Sequence, residues 1–217
     1  MARSRYEKIE QGRNFMNEQL IQGFTLQASL IFGLGAQNLF LIDRGLNRKS
    51  HLLAASVCSI CDCALIFFGV LGAGSYLAQN SKVRIVVTII GIIFLGYYGF
   101  QKLYERPEEI SQTSKLESTK NILVQSLGFS LLNPHVYLDT FVLIGSYSAQ
   151  FNSLQKRVWF GAGASLYSII WFFSLVLFSA VMSRYLNRPS FRQKLNRVAG
   201  ALLIFLGIKL LCELGLG

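Results

Sequence analysis

Residues 20–42 read LIQGFTLQASLIFGLGAQNLFLI, twenty-three positions without Asp, Glu, Lys or Arg. Residues 158–183 form a second uncharged run, VWFGAGASLYSIIWFFSLVLFSAVMS. About 20 consecutive apolar residues span a bilayer core, so these stretches exclude a water-soluble globular chain. The whole composition agrees, with 52% hydrophobic and only 15% charged residues among 217, where soluble domains carry about 25% charged.

Reading outward, apolar runs separated by charges give six segments: 20–42, 51–78, 83–104, 121–150, 158–184 and 195–214. The polar stretch 105–120, with Pro107, divides them three and three, as a surface linker would. The halves resemble each other. Ile93-Phe94-Leu95-Gly96 in the third span matches Ile204-Phe205-Leu206-Gly207 in the sixth, and Asn38 with Asp43 parallels Asn133 with Asp139. A three-helix repeat crosses an odd number of times, so its second copy must be inverted, a design found in transporters. The expectation is an all-α membrane protein of about six transmembrane helices, built as two inverted three-helix repeats. The parts are an amino-terminal arm (1–15), a first repeat (16–104), the linker (105–120) and a second repeat (121–217). A chance match between Leu/Ile/Phe-rich helices is the competing reading.

Net charge is +10, which in a soluble chain suggests nucleic acid. Here the basic residues occupy connections between apolar runs, so no nucleic-acid partner is expected. Twelve of them follow spans 1, 3 and 5, and the positive-inside rule places that side in the cytoplasm. The arm mixes Arg3, Arg5, Lys8 and Arg13 with Glu7 and Glu10, unlike a secretory signal. Met16 is an alternative start.

Unwound backbone is tolerated in a membrane only where protein or water satisfies its polar groups. Two places look broken. In span 1, Gly33 and Gly35 precede the amides Gln37 and Asn38; in span 4, Asn133-Pro134-His135 interrupts the run. As one straight helix, 121–155 would reach about 50 Å, beyond a core of about 30 Å. A proline kink with amides bonding neighbouring helices is the plainer alternative.

Asp62 lies near the middle of span 2 and Asp139 just past the second break. An aspartate at the bilayer centre costs about 2.5–3.5 kcal/mol on insertion scales and marks a functional position by default. Spans 1 to 5 hold no internal Lys or Arg to neutralise either one, which favours a site for a cation or a proton; protonated carboxyls in structural hydrogen bonds are the alternative. Asp43 ends span 1 beside Arg44 and reads as an interfacial ion pair. Trp171, central in its span, offers a cation–π face or simple packing, and His135 a proton relay or a helix cap. Cys58 and Cys61 have redox spacing and share a helix face with Asp62. The second half has no matching Cys, and buried filler is the favoured reading. No metal site or cofactor is expected.

At these residues the chain resembles the basic amino-acid exporters of the LysE type, a bacterial family exporting lysine and arginine. The matches are Gly35-Ala36-Gln37-Asn38 with Arg44-Gly45-Leu46-Asn47-Arg48, Asp62 within Ile60-Cys61-Asp62, the stretch from Leu132 to Val142, and Trp171-Phe172. The family usually has Pro where Ala36 stands and Ser where Cys61 stands; the missing proline argues against a break in span 1 as sharp as that in span 4. The resemblance implies a multi-pass protein of the bacterial inner membrane that exports arginine or lysine by proton antiport, and not an enzyme. For such an exchange the expectation is that Asp62 and Asp139 alternate between proton and substrate cation, and that the helix start after Asn133-Pro134 binds the substrate carboxylate. Gln37 and Asn38 take the α-ammonium, and Tyr137 and Trp171 shape the pocket. Partners are then the substrate, protons and lipid, with a homodimer left open. Export of neutral amino acids, export of a metal cation, or a thiol–disulfide carrier using Cys58 and Cys61 are the rivals.

Overall fold

The computed structural model describes residues 2–31, 35–48, 50–72, 81–104, 118–133, 136, 138–186 and 189–215. The described residues are almost all helical. In order they form α1 (Ala2–Ile31), α2 (Ala36–Asn47), α3 (His51–Val70), α4 (Ser81–Tyr104), α5 (Thr119–Leu131), a π-helical segment (Leu138–Ile144) running into α6 (Gly145–Ala149), α7 (Leu154–Leu186) and α8 (Pro189–Gly215). Three stretches, His51–Val70, Leu154–Tyr185 and Gln193–Cys212, are long and apolar enough to cross a membrane. A fourth is added if the bent pair Met16–Ile31 and Ala36–Asn47 counts as one span. Their outer faces carry large apolar side chains, among them Ile60 and Phe68 on α3, Leu166, Ile170 and Phe178 on α7, and Phe205 on α8. Lipid is the medium that tolerates such a surface.

Both expected breaks fall where the sequence places them. The pair α1/α2 bends by 83°, with Gly35 extended (φ −81°, ψ 167°) ahead of α2. Ala36, where the family usually has proline, is the first residue of α2. In span 4, α5 stops at Leu131 and helix resumes at Leu138 in π geometry, a form often found at functional sites. Gly33, Pro134, His135 and Tyr137 lie outside the described residues.

Successive contacts fix the directions of the helices. Gln27, Asn38 and Arg48 meet Ser168, Trp171 and Ser183 in that order, so α1 and α2 follow α7 in parallel. In the same way Cys58 meets Ser126 and Val70 meets Ser148, so α3 runs parallel to span 4. Helices α4 and α8 pack antiparallel, Gly99 against Gly200 and Gly207 against Leu95.

Without a hydrophobic difference between helix and lipid, association relies on close backbone approach at small residues. A Cβ added at Gly23 on α1 would run into the Phe160 carbonyl of α7, and one at Gly163 into the Leu20 carbonyl. Overpacking costs about 1–3 kcal/mol and a chain of this size loses about 2–4 °C of Tm per kcal/mol. Gly23→Ala should therefore lower Tm in detergent by roughly 5 °C. Gly96→Ala, whose Cβ meets nothing within 4 Å, should not; equal losses at both positions would contradict the packing account.

Candidate functional site

Two apolar clusters fill the bundle. The first includes Cys58 on α3 and Phe172 on α7, the second Ile66 on α3 and Ala164 on α7. About two turns separate the members named on each helix, and the position one turn from both is polar: Asp62 on α3 and Ser168 on α7. Asp62 is 4% exposed. Its neighbour is Gln27 of α1, whose Nε2 donates to Asp62 Oδ2 at 3.3 Å and to Ser168 Oγ at 2.8 Å. Asp62 and Asp139, on the packed α3 and π-helical segment, lie within electrostatic reach of each other. The buried carboxylate is thus held by a neutral donor, with a second carboxylate within electrostatic reach. Such a pair is costly at zero occupancy and gains from any cation that enters.

The first break adjoins this layer. Asn38 Nδ2 donates to the Ile31 carbonyl at the end of α1 (2.9 Å), and Asn38 Oδ1 accepts from Trp171 Nε1 (3.3 Å). Tyr167 stacks on Trp171 with ring centroids 6.2 Å apart. Gln37 Nε2 donates to Ser130 Oγ of α5 at 3.0 Å, tying the break in span 1 to the helix that ends at the break in span 4. Asn133 itself is buried. Gln37, Asn38, Asp62 and Trp171 therefore meet where α1, α2, α3, α5 and α7 converge, with Asp139 on the adjoining segment.

Asp43 is placed differently from Asp139, despite their parallel positions in the two halves. It lies 3.1 Å from Lys102 Nζ of α4 and 3.8 Å from Arg44, so the expected Asp43–Arg44 pair is the looser of two contacts. Arg44 is buried, donates to Gln125 Oε1 at 3.1 Å and lies over the Phe40 ring. Phe40 stacks on Phe129, which also meets Phe94 and Tyr98. An ionic and aromatic layer thus ties α2, α4 and α5 together away from Asp62. Cys58, Cys61, Cys63 and Cys212 are free thiols; Cys58 lies against Ser130 and Gln37, and Cys63 against Ser165.

Sequence reading missed Gln27, Ser168 and Ser130. The signal for Gln27 was present: it is one of few amides in an uncharged run, one turn beyond Gly23, which faces α7.

The sequence profile of the LysE type translocators matches residues 28–214. The chain belongs to that family. Over 194 residues it is 38% identical to the "Putative amino-acid transporter YggA" of Aeromonas salmonicida and 37% identical to the arginine exporter protein ArgO of Yersinia enterocolitica. In both cases 88% of this chain and 94% of the relative are covered. ArgO of Klebsiella pneumoniae is 36% identical over 196 residues, 88% of this chain and 92% of its own. No solved structure matches. Membership makes this translocator a transport protein, and its apolar helices make it a multi-pass one.

Asn38 closes the break in this LysE-type chain by satisfying one carbonyl and one indole N–H. Leaving those buried groups unpaired costs about 1–3 kcal/mol each. Asn38→Leu should lower Tm by roughly 5 °C or more, with Asn38→Asp, which keeps the acceptor for Trp171, falling between; an unchanged Tm in Asn38→Leu would contradict this role.

Proposed function

We propose that this chain exports arginine and lysine from the bacterial cytoplasm across the inner membrane, in exchange for protons. The observation that carries the reading is the buried Asp62, held by Gln27 and Ser168 in a layer that contains no Lys or Arg among the described residues and lies within reach of Asp139. The names of relatives covering 88% of the chain, arginine exporters among them, support the substrate class.

Six alternating crossings in two inverted repeats accord with the helix directions. Exchanging the halves turns the parallel contact of spans 1 and 5 into that of spans 4 and 2, and returns the antiparallel pair α4/α8 to itself. The two Gly-ended tetrapeptides that match in sequence adjoin each other, with Gly207 against Leu95. In such a design the substrate binds near the midplane between broken helices.

Arginine leaving an inside-negative cell moves its charge against about 2.3 kcal/mol per 100 mV, so a uniporter would retain it. Exchange for an incoming proton cancels the charge movement. Asp62 and Asp139 alternate between proton and substrate cation as a pair sharing one exchangeable charge: with one proton bound the pair resets without substrate, and on releasing it the pair holds the guanidinium or ammonium. The helix start beyond Asn133-Pro134 takes the α-carboxylate, since helix N-termini attract anions. The α-ammonium goes to carbonyls freed beside Gln37 and Asn38, and Tyr137 and Trp171 border the side-chain pocket. Gly33, Gly35 and Pro134 supply the breaks.

Proteoliposomes preloaded with labelled arginine or lysine test this. Efflux should quicken as the outside is made acidic, lose that acceleration with nigericin, which collapses the pH gradient, and survive valinomycin, which collapses the potential. Asp62→Asn and Asp139→Asn should each lose at least tenfold, about 1.4 kcal/mol or more, while remaining in the membrane. Replacing all four cysteines should leave efflux intact. Efflux that valinomycin accelerates, or that both Asn variants retain, would overturn the antiport reading; loss in the cysteine-free variant would turn it towards metal or electron transfer.

A further inference from the structure

Several buried polar atoms around Asp62 have no partner among the described residues. They are Gln27 Oε1, Ser59 Oγ and Ser165 Oγ. Gln27 belongs to the layer just described, and Ser165 lies against Cys63, next to Asp62 on α3. Ser59 precedes Asp62 by three residues on α3 and Ser165 precedes Ser168 by three on α7, so each shares a helix face with its neighbour. The orientation of Gln27 follows from chemistry: an ionised Asp62 only accepts, so the amide must turn its N–H towards it and its carbonyl away. Gln27, Ser59 and Ser165 are 4%, 5% and 6% exposed. Orphaned acceptors at this depth are rare in native proteins and call for a ligand that satisfies them.

We propose that Gln27 is a specificity-determining residue whose free carbonyl, with Ser59 and Ser165, receives the N–H groups of a guanidinium salt-bridged to Asp62. The inference rests on the reading of this chain as an exporter of basic amino acids and sharpens it from that class to arginine over lysine. A guanidinium is planar and presents five donors and no acceptor; an ammonium presents three from a single nitrogen. The carboxylate and three further acceptors suit the larger donor set. With lysine bound, some of these acceptors stay unpaired in a buried layer, and selectivity in such sites comes mainly from the groups the wrong ligand leaves unsatisfied. Gln27 also connects this recognition to the proton site, because the same amide contacts Asp62 through Nε2 and Ser168 beyond it.

The test compares arginine and lysine efflux in proteoliposomes for the wild type, Gln27→Met and Ser165→Ala. Gln27→Met keeps the volume and removes the carbonyl; Ser165→Ala removes one orphaned hydroxyl and leaves both contacts of Asp62 in place. The wild type should prefer arginine. Gln27→Met should raise KM for arginine about tenfold, the scale of a lost hydrogen bond to a charged group, and shift lysine by less than about threefold. Ser165→Ala should shift in the same direction to a smaller extent, and it carries the test if Gln27→Met fails to insert. Arginine should likewise protect the wild type against thermal unfolding more than it protects either variant. Robust wild-type efflux with an unchanged arginine-to-lysine ratio in both variants would overturn the role of Gln27 and leave the export reading standing. Absence of wild-type efflux of both substrates would remove the two together.

Discussion

The contact of Gln27 with Asp62 and Ser168 joins three helices through one buried carboxylate, and most of the other features follow from keeping that carboxylate there. Apolar clusters lie a turn away on either side, at Cys58 and Phe172 and at Ile66 and Ala164. A lone charge between such layers is costly, and a neutral amide relieves part of that cost without discharging it. A fixed lysine or arginine in place of Gln27 would stabilise the fold more and remove any need for a mobile cation. The neutral partner is therefore the feature that connects packing to transport.

The surrounding architecture serves that layer. Close glycine approaches bring α1 onto α7 and α4 onto α8, which places Gln27 within reach of Ser168. The break after Ile31 turns the chain towards α7, and Asn38 satisfies the carbonyl it frees, with Trp171 behind it. Further from Asp62, Lys102, Asp43, Arg44 and Gln125 bind α4, α2 and α5 together above the Phe40–Phe129 stack. The charges of this chain thus sort into two kinds. Asp43, with an ionic partner, helps hold helices together, whereas Asp62, held by the neutral Gln27, remains open to exchange.

Much of this was legible in the sequence because the bilayer enforces simple rules. Uncharged runs of twenty residues mark spans, glycines and Asn-Pro mark breaks, and a mid-span Asp marks a site whatever the tertiary fold. What the sequence withheld was partnership across helices. Gln27 stands 35 residues from Asp62 and 141 from Ser168, so its position in an uncharged run marks it as notable without naming its partners. Asp43 and Asp139 look equivalent by position in their halves, yet one faces Lys102 and the other adjoins α3. Ala36 stands where the family usually has proline, yet α1 and α2 bend by 83°.

The central claim is that one buried carboxyl exchanges its proton for the cationic end of the substrate. Infrared difference spectroscopy on the purified protein reads that exchange directly. Adding arginine should remove a protonated-carboxyl C=O band and raise a carboxylate band, and Asp62→Asn should lose that change while the four-cysteine variant keeps it. A spectrum in which arginine leaves every carboxyl band unchanged, or in which Asp62→Asn behaves as the wild type, would contradict the account.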